Sequence, residues 1–188
     1  MTEPLSTTEM GTVNVEFALP SQSLSDMTGM ADAAVTKALE FCAQKMGLHG
    51  PQAVIDRLRQ GDSTACGYFH YGLAEQVAKH LAEFDEDVKT VYLYSYDATP
   101  EDVCFGEATP ASQVHLIIWA QRKTAALNSL VNALDRALVE GYGTMIGTPQ
   151  LMHLLDVQII DDDDVKRRVG YGALLSSLHL PPIEIWRR

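Results

Sequence analysis

"QVHLIIWAQRK", Gln113 to Lys123, is the stretch on which the fold turns. Its even positions Val114, Leu116 and Ile118 are apolar, and so are Ile117 and Trp119 between them. A strand with one wet face alternates. A strand apolar on both faces is covered on both, and this one therefore belongs at or beside the centre of a sheet. Upstream, "VKTVYLYSYD" (88–97) combines valines, a leucine and three tyrosines and predicts a neighbouring strand. Downstream, Leu127, Leu130, Val131, Leu134 and Leu138 recur at helical spacing from about Thr124. That helix stops at the glycines of "GYGTMIG" (141–147). "LMHLLDVQII" (151–160) predicts a further strand, and "DDDDVKRRVGYGALLSSLHL" (161–180) a last helix.

The remaining chain reads in the same way. Residues 1–10 are polar and expected to be loose. In "TVNVEFALP" (12–20), Val13, Val15, Phe17 and Leu19 alternate with Thr12, Asn14, Glu16 and Ala18, which predicts a strand. Helices are expected over 27–46, over the glycine-bracketed "PQAVIDRLRQ" (51–60), and from Asp62 onward. The expected architecture is one α+β domain, 11–188, with a mixed four-stranded sheet in the order β-(helices)-β-β-α-β-α. This is a ferredoxin-like split βαβ unit with extra helices. The competing arrangement is an αβββαβ core, with "EDVCFGE" (101–107) as a short strand and the first strand peripheral.

The net charge of −11 is divided unevenly. Val165 to Arg188 carries +4 and the other residues −15. An acidic body repels nucleic acid. No apolar run reaches the ~20 residues of a membrane helix. The first residues lack a secretory pattern. Cys42, Cys66 and Cys104 are odd in number and form no CxxC. The expected compartment is the cytoplasm, with reduced thiols.

Two constellations are candidates for chemistry. "GDSTACGYFHYGLAEQVAKH" (61–80) places Cys66 in the first turn of a helix, where the dipole favours thiolate. His70 follows four residues later on the same face, a nucleophile and base at the right spacing. The opposing reading makes Cys66 and His70 an extension of the core stripe Leu73 and Val77. The second constellation is the long connection 97–112, with Asp97, Glu101, Asp102 and Glu107 and the nearby strand residue His115. Long acidic connections line sites or bind cations. Gln121 and Lys123 have the strand-end spacing of a PD-(D/E)xK nuclease, but the preferred acid is absent. Asp161 to Asp164 lack the spacing of a calcium loop and are expected to cap the last helix.

The sequence identifies no cofactor, metal or substrate. Two function classes fit. One is a binding or assembly module for a small molecule or a protein. Its expected homodimer interface is the extended segment 180–188, through Ile183, Ile185, Trp186, Arg187 and Arg188. The other is a hydrolase or transferase working through a divalent metal on the acidic connection, or through Cys66 and His70. The two-faced apolarity generates a direct test of the fold. Ile117→Asp should lose several kcal/mol of stability in urea denaturation, because an unpaired carboxylate enters the core; a change within ~0.5 kcal/mol would place Ile117 on an exposed edge.

Overall fold

The strand β2 (Val114–Ala120) has hydrogen-bonded neighbours on both sides. It lies inside a mixed four-stranded sheet, as its two-faced apolarity requires. The computed structural model describes residues 21–94, 113–147, 151–178 and 181–188. In chain order these form α1 (Ser21–Met46), α2 (Pro51–Arg59), α3 (Ser63–Phe84), β1 (Val88–Leu93) and β2. They continue with α4 (Ala125–Ile146), β3 (Leu155–Ile160), α5 (Asp162–Arg167), a 3-10 helix over Gly170–Ser176, and β4 (Ile183–Arg187). The fold is α+β and the strand order is β3-β2-β1-β4.

One sequence expectation about the sheet, the split βαβ order, needs correcting. β2 and β3, which flank α4, pair directly and in parallel, from Val114 with Leu155 to Trp119 with Ile160. A split βαβ unit would leave room for a strand between them, and none lies there. The fourth strand of the described sheet is the C-terminal β4, antiparallel to β1. The strands expected over 12–20 and 101–107 lie outside the described residues.

One face of the sheet carries the aliphatic core. Val91, Val114, Leu116, Ile118, Ala120 and Leu155 are buried there under the helices. α3 lies against β1, β2 and β4, and α1 bridges α2, α3 and α4. Ala31, Ala34, Ala38 and Cys42 recur on α1 at steps of three and four and are fully buried. Such small side chains let helix backbones come close. A Cβ on Gly72 of α3 would stand 3.2 Å from the Cα of Ala38.

β3 starts at Leu155, four residues later than the apolar pattern predicts. The reason is Asp135, a buried carboxylate on α4. Its Oδ1 accepts the backbone N–H of Leu154 (2.9 Å) and Leu155 (2.8 Å). Its Oδ2 pairs with Nδ1 of His153 at 2.7 Å. Side-chain capture of these amides satisfies donors that the edge of a strand would otherwise leave open.

The last helix also differs from the expected single run over 161–180. Asp161 caps α5 with a reciprocal capping box to Asp164, as the aspartate run predicts. Arg168 then turns left-handed (φ 54°) and ends it after six residues. The 3-10 helix folds back onto α5 so closely that a Cβ on Gly172 would meet the carbonyl oxygen of Asp164 at 2.5 Å. Only glycine permits that approach.

The extended tail adds a strand to its own sheet. Ile185 and Trp186 pack against the core shared with the helices. Arg188 donates from Nε to the Val88 carbonyl (3.1 Å), and from one guanidinium nitrogen to the carbonyls of Ala82 (2.6 Å) and Asp85 (3.3 Å). These last two lie at the C-terminal end of α3, where unpaired carbonyls concentrate negative potential. The basic tail thus caps a helix end in its own chain. Arg188→Ala should cost about 1.5–3 kcal/mol in chemical denaturation, the range for hydrogen bonds from a charged donor; a cost below about 0.5 kcal/mol would show that the clamp contributes nothing.

Candidate functional site

The second face of the sheet is built from different residues, and its order follows from strand register. Cross-strand neighbours share a face. Asp156, His115 and Tyr94 lie across β3, β2 and the end of β1. Gln158, Ile117, Tyr92 and Glu184 form the next row, and Ile160, Trp119, Thr90 and Arg187 the one after. The opposite face is aliphatic. This face combines rings, carboxylates, an imidazole and cations. Val165 of α5 and Tyr171, Leu174 and Leu175 of the 3-10 helix pack over its apolar part, against Tyr92, Tyr94, Ile117, Ile160 and Trp119.

At one end stands a polar cluster. Nδ1 of His115 pairs with Oδ2 of Asp156 at 2.8 Å. The Tyr94 hydroxyl donates to the same oxygen at 3.4 Å, and Gln158 donates to Oδ1 at 3.1 Å. The rings of Tyr94 and His115 lie 5.4 Å apart, and Tyr171 meets Tyr94 edge-on at 5.7 Å. A carboxylate on Nδ1 fixes the imidazole's orientation and tautomer, an arrangement able to move a proton. His115 is thus placed beside an acid that sequence reading did not single out. Asp97, Glu101, Asp102 and Glu107 lie outside the described residues.

At the other end α5 is clasped to the sheet. The Asp162 carboxylate accepts from Nζ of Lys89 (2.7 Å) and from the Trp119 indole (2.8 Å). These bonds hold its pKa below the ordinary carboxylate range. Lys123 pairs with Asp164, which holds that carboxyl low as well. Lowered carboxyl pKa values mean the clasp contributes above the ordinary carboxylate range and is lost as pH falls through the folded-state values. Lys123 is occupied by Asp164 and Asp161, which leaves the nuclease-like reading of Gln121 and Lys123 without its lysine.

The helix-start constellation resolves by face. Asp62 caps α3, and its Oδ1 accepts the N–H groups of Thr64 and Ala65, both at 3.0 Å. This carboxylate opposes the helix dipole that would favour a thiolate. Cys66 is buried, and burial with the charge of Asp62 pushes its thiol up. Cys42, from α1, is pushed to about 11 for the same reasons and through Cys66 itself. His70 stays partly exposed, its ring 6.2 Å from that of Phe69. Among the described residues no group of three or more histidine, cysteine or acidic side chains is arranged to hold a metal ion.

The same stretch contributes to a groove with its other face. Thr64, Gly67, Tyr68, Tyr71 and Glu75 form one stripe of α3, beside Phe41 and Lys45 of α1. The cross-strand pair Leu93 and Ile183 closes the space, which measures about 630 Å³. Phe41 and Tyr71 stack at 5.6 Å, and Nζ of Lys45 stands 5.4 Å from the Phe41 ring. The sequence candidate Cys66 lies on the buried side of the same helix turn. The helical period does mark Tyr68 and Tyr71 as neighbours on one face. Their partners from β1 and β4 become visible only when the strands pair.

No protein-family model, curated protein or solved structure matches this chain. The environment of Cys66 has a chemical consequence. At pH 7 Cys66 of the folded protein should react with iodoacetamide at least about tenfold more slowly than after unfolding. Peptide mapping by mass spectrometry reads this, and equal rates would restore the nucleophile reading.

Proposed function

We propose that the protein is a cytoplasmic small-molecule binding module whose ligand occupies the groove between α1, α3 and the β1–β4 edge. The observation that carries this reading is Gly67. Mid-helix glycine costs roughly 1 kcal/mol relative to alanine. Apart from its chain neighbours and its own helix backbone, no atom of the described residues lies within 4 Å of the Cβ it lacks, so close packing does not explain it. The missing side chain leaves open space on the wall of the groove. Its volume falls in the usual ligand range of ~300–1,000 Å³. Stacked Phe41 and Tyr71, with Leu93 and Ile183, provide an apolar bed, and Ile183 stays half exposed within it. Of the charged groups in the lining, Glu75 pairs with Lys79 at 2.8 Å and Nζ of Lys45 stands over the Phe41 ring. The ligand class that suits this lining is a neutral, mainly hydrophobic molecule with a polar group near Thr64. The cytoplasmic assignment rests on the thiols: Cys42 and Cys66 are both free. Among the described residues no helix is long and apolar enough to cross a membrane.

Support for a homodimer built by the tail is weakened, because Ile185 and Trp186 are packed on their own core and the β1 side of β4 is paired. The alternative enzymatic reading draws on a different observation, the His115–Asp156 pair with the Tyr94 hydroxyl, which together can serve as an acid–base centre.

Filling the groove without touching the core separates these readings. Gly67→Leu should keep or raise thermal stability, since leucine is the better helix former by roughly 0.5–1 kcal/mol. The same variant should bind the neutral solvatochromic dye Nile red at least about tenfold more weakly than the parent, since the groove is filled. Unchanged dye affinity in a folded Gly67→Leu protein would remove the groove from consideration.

A further inference from the structure

Two irregularities in β1 pairing shape the end of the sheet opposite His115. Against β2, Val88 pairs with Ala120 but Thr90 with Trp119, so Lys89 is an extra residue. Against β4, Val91 pairs with Trp186 but Tyr92 with Glu184, so Ile185 is extra. A bulge re-aims the side chains around it. The first bulge leaves Val88 in the aliphatic core and puts Lys89 on the second face, where it reaches Asp162 and Trp119. The second sends both Ile185 and Trp186 to the core, which leaves Glu184 and Arg187 on the second face. Each bulge spends its extra residue on the same result: charge gathers on one side at one end of the sheet.

The product is a cleft of about 460 Å³ lined by Lys89, Thr90, Trp119, Arg187 and Arg188. Thr90 is almost fully buried and forms the floor, between Trp119 on one side and Arg187 on the other. Lys89 Nζ stands 5.7 Å from the Trp119 ring centre. Arg188 stacks on Trp186 at a similar distance. The charges do not cancel. Lys89 is paired with Asp162 and Arg187 with Glu184. The contacts of the Arg188 guanidinium are with backbone carbonyls, and among the described residues no carboxylate pairs with it. Three cations therefore face two carboxylates in a chain whose net charge is −11. Local positive charge against an acidic whole is a signature of a place for an anion.

We infer that this cleft binds an aromatic phosphate monoester, with the ring against Trp119 and the phosphate between Arg187, Arg188 and Lys89. Guanidinium groups match phosphate oxygens with paired, directional hydrogen bonds. Indole and a flat ring stack over their faces, and the Thr90 floor sets how deeply the ring enters. Neither half suffices. A bare phosphate lacks the stacking surface, and an uncharged ring wastes the cations. This site is separate from the α1–α3 groove: it lies on the other face of the sheet and takes the opposite class of ligand.

The protein's two tryptophans make the test direct. In a Trp186→Phe background, Trp119 is the sole indole, and its fluorescence is titrated with adenosine monophosphate, inorganic phosphate and adenosine. The expected result is saturable quenching by adenosine monophosphate with a Kd below about 1 mM. Inorganic phosphate and adenosine should each bind at least about tenfold more weakly. Arg187→Gln, at an exposed position, should weaken the nucleotide about fivefold or more while leaving the melting temperature in place. If Trp186→Phe does not fold, the Trp119 indole N–H resonance of the unmodified chain serves for the same titration. Absence of saturable binding to about 1 mM overturns the inference. So does equal affinity for nucleotide and adenosine, for nucleotide and phosphate, or for the parent and Arg187→Gln.

Discussion

β1 is hydrogen-bonded on both sides, and the ladder slips by one residue on each. The rest of the structure depends on this double slip. In a regular strand, alternate residues face opposite ways, and a shift of one position exchanges the faces. With an extra residue on β1 and another on β4, the aliphatic residues reach the helices while Lys89, Thr90, Glu184 and Arg187 gather on the far side. Without the slips, either Val88 or Lys89 would point to the wrong environment. A lysine forced into the aliphatic core would carry a desolvation penalty of several kcal/mol.

The two faces therefore do different work. The helix side buries aliphatic groups under α3 and holds α1 through small side chains, Ala38 opposite Gly72 among them. Close backbone approach leaves little room there for chemistry. The far side is covered only in part by α5 and the 3-10 helix. Short elements without a buried apolar stripe need polar attachment, and Lys89, Trp119 and Lys123 supply it through Asp162 and Asp164. Among the described residues the apolar cover of these elements does not extend to the basic end at Arg187. The groove on the helix side arises differently, where α1 and α3 end their contact over Leu93 and Ile183.

Asp135 and Arg188 show how charged groups hold the fold together through backbone atoms. Each satisfies backbone atoms that a change of direction leaves unpaired: amides ahead of β3, carbonyls at the end of α3. Buried backbone groups must find partners, and a charged side chain meets several at once. Both residues lie far in sequence from the atoms they serve, so no local pattern announces them.

The order of elements from α2 to β3 was legible, because each depends on near neighbours in the chain. Helical spacing placed α3 and α4, Asp62 and Asp161 marked helix starts, and the two-faced apolarity of β2 placed it inside the sheet. The extended tail was legible as a strand from Pro181, Pro182 and the alternation after them, although its partner was not. The pairing of β2 with β3, the break at Arg168 and the capture of Leu154 by Asp135 were not legible, since each turns on a contact between distant residues. The same division holds for the sites. His115 was a candidate by residue type, but Asp156 joined it only through parallel register. Cys66 was a candidate by its helix position, and its burial beside Asp62, which raises the thiol's pKa, is visible only in the fold. By itself the sequence determined which segments are helix or strand and where charge accumulates, because propensity, periodicity and composition are local quantities. Tertiary structure alone decided which side chains meet, because strand register and bulges are set by packing free energy summed over the whole sheet.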